Sequence, residues 1–367
     1  MNVLWFTRRT AGDLCATTQF ALSHGLCERG HDLTIVNPDV EGSHQSYPWE
    51  HIGLPISAVK GLQGRTLGKK MQEFVKAQKI PRGSIAIVDW QVAAFVVPSL
   101  ESKSIHWILM DRSPPADRGV LAWLQWPSWK RAWQMVERNA NASGCVVSKA
   151  HQSFVMAKLK SSMSPPVILN AGADINLFCP KKKGEQLTLV YHGRLDTHRG
   201  VLALPMFAQK ARAVGLSCRL IMIGEGDAFS GLERVSAGEE YFELYPSMEQ
   251  SELAKILGSC HIGLLPMPER GMWKIASPLK RSEYAASGLL VLGIDHAGHR
   301  LEEQQQPKWM KLIQPQDFHD DGIEWLRSFT RTELESLSLE ARIYAEEHMT
   351  WNSAIDALEN LIRPSSF

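Results

Sequence analysis

Short apolar runs alternate with longer stretches of helical periodicity along almost the whole chain, and this alternation constrains the fold more than any other feature. In the first half it places strands at Val3–Thr7, Leu33–Val36, Ile85–Asp89, His106–Met110, Cys145–Ser148 and Val167–Asn170. Helical patterns lie between them near Thr17–Glu28, Leu67–Ala77, Ser128–Asn139 and Lys149–Leu159. Alternation of this kind calls for a parallel sheet covered by helices on both faces. It breaks at "CPKKKGEQ" (Cys179–Gln186), where proline, three lysines and glycine interrupt the apolar pattern. It then resumes with strands at Leu187–Tyr191, Arg219–Ile223, Ile262–Leu265 and Leu290–Gly293 and helices near Gly200–Val214, Ser251–Ser259 and Pro278–Ser287. A length of 367 residues agrees with two domains. The expected organisation is a doubly wound domain over 1–180, a second over 187–345, and a terminal amphipathic helix over 346–367 that crosses back to the first. Sheets of this type bind ligands at the carboxyl ends of their strands, so the expected site is a cleft between the two domains.

Charge and cysteine content exclude several classes of function. Forty basic and thirty-nine acidic residues leave a net charge of +1, so no global field attracts nucleic acid, and no nucleic-acid partner is expected. The six cysteines are scattered without CxxC or zinc spacing, which suits a reducing, cytoplasmic setting. The first residues lack the charged-then-apolar pattern of a secretory leader, so no cleavage is expected, and no window is long and apolar enough to span a bilayer. "NAS" at Asn141 is an incidental glycosylation acceptor in that setting.

Several motifs suit an anionic ligand. "YHGRLDTHRG" (Tyr191–Gly200) leaves a strand, turns at Gly193 and enters a helix, with Arg194 and Arg199 flanking the turn. Two guanidinium groups beside a helix N-terminus make a phosphate site, although solvated loop arginines are an equally plain reading. "IASPLKRSEYAASG" (Ile275–Gly288) reads as a short helix with Ser277 as N-cap, Pro278 at the first position and Gly288 as a left-handed stop. Its first turn carries Lys280 and Arg281, the wrong sign for that end of the macrodipole. A diphosphate docked between Arg194, Arg199, Lys280 and the backbone after Ser277 (Pro278, Leu279) would turn those charges from unfavourable to favourable; cations pointing into water are the bland alternative. Glu283 shares a face with small and apolar residues, and either accepts bonds from ligand hydroxyls or pairs with Lys280.

In the first half, Gly12 in "TAGD" permits close backbone approach to a ligand, and Asp111 in "MDRSPP" ends a strand as either a catalytic or sugar-binding carboxylate or a turn cap. "AWLQWPSWKRAW" packs Trp123, Trp126, Trp129 and Trp133 into twelve residues. Trp129 and Trp133 have the spacing of a core face. Trp123 and Trp126 are candidates for contact with an acceptor or a membrane surface. "GEGD" (Gly224–Asp227) reads as a turn, no histidine pair has metal spacing, and no G-x-S-x-G elbow is present. No metal and no cofactor are expected.

Three of these stretches resemble motifs of the retaining GT-B glycosyltransferases known as glycosyl transferases group 1, or family 4. "NAGADINLF" (Asn170–Phe178) is similar to N-G-V-D-x-x-x-F, "GRLDTHRG" to G-R-L-x-x-x-K-G, and "SPLKRSEYAASGLLVLG" (Ser277–Gly293) to S-P-x-K-x-x-E-x-x-A-x-G-x-P-V. "RGHDLTIV" (Arg29–Val36) and "MTW" (Met349–Trp351) also fall where the family has comparable segments, so the likeness spans nearly the whole chain. The resemblance implies a GT-B fold of two Rossmann-like domains facing each other across a cleft. It further implies Arg194 and Arg199 on a donor diphosphate, Glu283 on the nucleotide ribose, and the backbone after Ser277 on phosphate. The activity it implies is metal-independent transfer of a hexose, with retention, from a UDP- or GDP-sugar to a hydroxyl of a glycan, lipid-linked or small-molecule acceptor. Ile275 stands where many members carry a sugar-contacting glutamate, the Gly-Gly loop is reduced to "AGD", and Asp111 stands where many have a histidine. Either Glu269 or the backbone around Gly271 replaces that glutamate, or the donor sugar differs. Ile275 and the reduced glycine loop motivate a rival reading, a non-catalytic sugar-nucleotide-binding or accessory protein; a sugar-nucleotide epimerase is a lesser alternative that needs an acid/base set the sequence does not assign. The tryptophans add a peripheral contact at the inner face of a membrane.

Overall fold

A computed structural model describes residues 1–10, 17–38, 47–56, 63–115, 123–159, 163–301 and 305–363. Among the described residues the chain forms two compact units, Met1–Asn170 with Trp351–Phe367, and Ala171–Thr350.

The first unit is built on seven strands, β1 (Asn2–Phe6), β2 (Asp32–Pro38), β3 (Glu50–Leu54), β4 (Ile85–Asp89), β5 (His106–Met110), β6 (Ala142–Val146) and β7 (Val167–Ile168). They form one sheet in the order β3-β2-β1-β4-β5-β6-β7, with every pairing parallel. Its helices are α1 (Thr17–Glu28), α2 (Gln63–Ala77), α3 (Trp90–Glu101), α4 (Trp126–Arg138), α5 (Lys149–Leu159) and, from the far end of the chain, α12 (Trp351–Ile362). Successive side chains of a strand face opposite ways, and both faces are covered here. Val3 and Trp5 pack with Leu22, Leu26, Ile355 and Leu358 of α1 and α12. Leu4 and Phe6 pack with Met71, Val96, Trp129 and Trp133 of α2, α3 and α4. The helix α3 is absent from the periodicity reading because "WQVAAFVVPSLE" is buried nearly all round and contains Pro98, so no polar stripe marks it.

The second unit holds β8 (Leu187–His192), β9 (Cys218–Ile223), β10 (Phe242–Tyr245), β11 (Ile262–Leu265), β12 (Leu290–Ile294) and β13 (Met310–Ile313). These form a parallel sheet in the order β10-β9-β8-β11-β12-β13. Its helices are α6 (Ala203–Ala213), α7 (Phe229–Ser236), α8 (Gln250–Gly258), α9 (Leu279–Ala286), α10 (Phe318–Arg327) and α11 (Arg331–His348). One continuous core, from Leu189 and Tyr191 through Phe207 and Tyr284 to Trp309, spans this unit.

The unit boundary falls at Asn170–Ala171, ahead of the Cys179–Gln186 stretch read from the sequence as a linker. That stretch is held within the second unit. Lys181 N–H donates to the Gly258 carbonyl, and the Lys183 ammonium donates to the Gly288 carbonyl and the Ser338 hydroxyl. At the other end the chain leaves the second unit at Thr350, so α11 belongs to that unit and α12 to the first. In the first unit Glu359 of α12 accepts from Arg29 at 2.8 Å and lies 3.0 Å from His31 Nε2.

Candidate functional site

In the second sheet β8 lies between β9 and β11, so the chain winds away from β8 in both directions. The crevice at the carboxyl end of β8 is therefore the topological switch point, where open sheets of this kind take ligands. β8 ends at His192 and turns at Gly193, whose φ of 110° is reached without strain only by glycine. A Cβ there would lie 2.8 Å from Cε and Nζ of Lys280, so the turn also admits the lysine side chain against its backbone. Lys280 Nζ lies over the Tyr191 ring at 5.5 Å from its centre.

Asp196, buried just beyond that turn, orients both arginines. Its carboxylate accepts from Arg194 Nη2 at 2.9 Å and Nε at 3.2 Å, and from Arg199 Nε at 3.3 Å. Burial pushes the Asp196 carboxyl up, but hydrogen bonds and charge from Arg194 and Arg199 outweigh it and hold the group below its ordinary range. Arg199 is further placed by the Trp273 ring, 5.6 Å from its guanidinium carbon, and His198 stacks on the same ring at 5.2 Å. "GEGD" turns at Gly226 and Asp227 as expected, and the Asp227 carboxylate accepts from the N–H and hydroxyl of Thr197.

The helix α9 begins one residue later than its sequence suggests. Pro278 occupies the N-cap position and Leu279 is the first helical residue, while Gly288 closes the far end at φ 69°. Ser277 does not cap the helix: its hydroxyl accepts from Ala171 N–H at 3.2 Å, and the Ser282 hydroxyl donates to the Ala171 carbonyl at 2.8 Å. The "NAG" and "SPLK" motifs are thereby joined. The two first-turn cations diverge, because consecutive helical positions point about 100° apart. Arg281 Nη1 donates to the carbonyls of His299 and Arg300 at 2.9 and 2.6 Å, whereas Lys280 lies over the Gly193 turn. Glu283 is buried, and His192 Nε2 lies 3.2 Å from its Oε2.

Arg194, Arg199, Lys280 and Glu283 thus belong to the end of β8 and the start of α9. Ile275 is buried in the 3₁₀ turn Gly271–Ile275 and Glu269 is exposed. The contacts of Asp196, His192 and Trp273 were not anticipated. Asp196 carried a signal, since it lies within three residues of both arginines; His192 and Trp273 meet their partners across long stretches of chain. Among the described residues no three His, Cys, Asp or Glu side chains converge as metal ligands, and no helix is long and apolar enough to cross a membrane.

In the first unit Gly12 lies outside the described residues. Asp111 is fully buried rather than at an edge. Its Oδ2 accepts from Trp129 Nε1 at 2.6 Å and Trp133 Nε1 at 2.9 Å, and His151 Nε2 lies 3.4 Å away. The i, i+4 spacing that marked these tryptophans as core also aims both indole N–H groups at one carboxylate. Trp126 is half-buried against Trp129 and Phe154 with Lys158 Nζ 5.7 Å from its ring centre, while Trp123 is 72% exposed. At the switch point of this sheet, between β1 and β4, Asp89 accepts from the Thr7 hydroxyl at 2.6 Å and the Trp5 indole at 3.2 Å. Burial raises its carboxyl pKa despite those bonds.

Two parallel, doubly wound units with this strand order define the GT-B fold. By sequence the chain matches no family model and no curated protein. Solved structures match along its whole length. TarM superposes with a TM-score of 0.76 at 11% identity, covering 98% of each chain. A glycosyltransferase from Rickettsia africae gives 0.74 at 12% identity, covering 100% of this chain and 99% of its own. HepE of Anabaena, solved in complex with UDP and glucose, gives 0.72 at 10% identity over 99% of this chain and 100% of its own.

Proposed function

We propose that the chain is a glycosyltransferase that moves a hexose from a nucleotide diphosphate sugar to an acceptor hydroxyl with retention of configuration. The observation that carries this reading is the joining of Arg194 and Arg199, both oriented by Asp196, with Lys280 over the Gly193 turn. In this reading the cations take the diphosphate and stabilise the negative charge that develops as it leaves, so the protein supplies without a metal what a bound cation would otherwise supply. Glu283 accepts hydrogen bonds from the ribose hydroxyls. The UDP and glucose in HepE support a donor of this chemical class. The exposed Trp123 and Leu124, followed along the chain by the exposed cations Lys130 and Arg131, favour a lipid-linked acceptor met at an anionic membrane surface.

The test is release of free nucleotide from UDP- and GDP-sugars across a panel of glycan and lipid-linked acceptors. Replacing one charge-stabilising donor is expected to lower turnover about a hundredfold in Arg199→Ala. Equal turnover by wild type, Arg194→Ala and Arg199→Ala would refute the site. Nucleotide-dependent thermal stabilisation without turnover on any acceptor would favour a binding protein instead.

A further inference from the structure

We infer that His192 is the positioning residue for Glu283, holding its carboxylate in the orientation that receives ligand hydroxyls; this rests on the nucleotide-sugar reading above. α9 turns the run Ser282–Ala286 inward, and Glu283 is 2% exposed within it. A carboxylate enclosed there requires a donor. The side chain placed to supply one is His192, with Nε2 3.2 Å from Oε2 and side-chain exposures of 9% and 3%.

The imidazole is itself fixed. Tyr284 stands edge-on to it at 5.2 Å and 88°, and the Tyr284 hydroxyl accepts from His192 N–H at 3.4 Å. The Tyr284 ring in turn lies on Gly263, where a Cβ would come within 2.3 Å of it. With its proton on Nε2, neutral or charged, the imidazole donates toward Oε2. The pair is close but not yet aligned as a hydrogen bond, since both atoms lack any other partner and neither meets hydrogen-bond geometry. Contacts of this kind tighten when the ligand arrives. His192 also immediately precedes Gly193, the turn over which Lys280 lies. One residue therefore links the hydroxyl-binding carboxylate to the phosphate-binding turn.

The experiment compares binding of UDP and GDP with that of their 2′,3′-dideoxy counterparts to wild type, His192→Leu and His192→Gln, with circular dichroism and melting temperature as fold controls. Loss of the donor to a charged acceptor is expected to weaken ribonucleotide binding by His192→Leu about tenfold while changing dideoxynucleotide binding less than about twofold. His192→Gln, which keeps an N–H donor at similar reach, is expected to restore ribonucleotide affinity to within about threefold of wild type. Equal weakening of both nucleotide types, or of neither, overturns the positioning role. Equal affinity of wild type for ribo- and dideoxynucleotides overturns it too while leaving the donor reading intact. Failure of wild type to bind either ribonucleotide overturns both.

Discussion

Asp111 is the place where a catalytic and a structural role make opposite predictions. Its carboxylate is fully buried and serves as the acceptor for the indole N–H groups of Trp129 and Trp133, at 2.6 and 2.9 Å. Asp111→Ala leaves two buried donors unpaired, at about 1–3 kcal/mol each. Against this, the substitution removes a buried charge whose other oxygen, Oδ1, has no hydrogen-bond partner, and that relief moves the net loss toward the lower end. The expected destabilisation is about 3 kcal/mol. For a body of this size each kcal/mol lowers the melting temperature by about 2–4 °C, so a fall of roughly 9 °C is expected. Asp111→Asn keeps an oxygen for the indoles and is expected to lose no more than about 1 kcal/mol. Calorimetry on the three proteins, with hydrogen exchange followed across α4, reads these differences. The structural reasoning fails if Asp111→Ala melts within about 2 °C of wild type, or if Asp111→Asn melts like wild type but no longer transfers sugar.

Stability is expected to fall on mild acidification because of two histidines in the second unit. Burial lowers His299 to about 3 and His261 to about 4 from an ordinary 6.5. Below pH 6.5 the unfolded chain takes up protons that the folded chain refuses, so stability decreases as pH falls, by about 2 kcal/mol per histidine at pH 5. Urea denaturation at pH 7 and pH 5 reads this, and His299→Gln is expected to shrink the difference by about 2 kcal/mol; an unchanged difference refutes the assignment. For the exposed Trp123, sedimentation with phosphatidylglycerol vesicles is expected to recover wild type in the pellet and to lose most of it in Trp123→Ser/Leu124→Ser. Wild type that remains in the supernatant refutes the membrane contact.

The parts of the fold that were legible in the sequence are those whose physics repeats along the chain. Strands buried on both faces read as apolar runs, and α5 appears at the residues its pattern marks, Lys149–Leu159. β10 and β13 leave no signal because each is a short edge strand broken by a charged residue, Glu243 and Lys311, and so lacks the unbroken apolar run that marks the equally short β11. The candidate site divides in the same way. Arg194, Arg199 and Lys280 were visible because each stands at a strand-to-helix or loop-to-helix junction, where backbone N–H groups and cations together suit an anion. The contact between His192 and Glu283 leaves no local signature, since it joins a strand end to a helix that arrives three strands later.

The cationic first turn of α9 shows what side-chain direction adds to composition. Lys280 and Arg281 are adjacent and of equal charge, and sequence reasoning gives them one explanation. In the structure they have separate ones. The planar guanidinium of Arg281 spans the carbonyls of His299 and Arg300, which satisfies part of its donor set with backbone acceptors and ties the loop after β12 to the helix. Lys280, one position earlier, is turned toward the Gly193 backbone with its ammonium over the Tyr191 ring, which adds positive charge at the turn that leads into Arg194. The conflict with the helix dipole is thus answered by neighbouring carbonyls for Arg281. For Lys280 the proposed answer is the donor diphosphate, and of the two cations only Lys280 belongs to the proposed donor site.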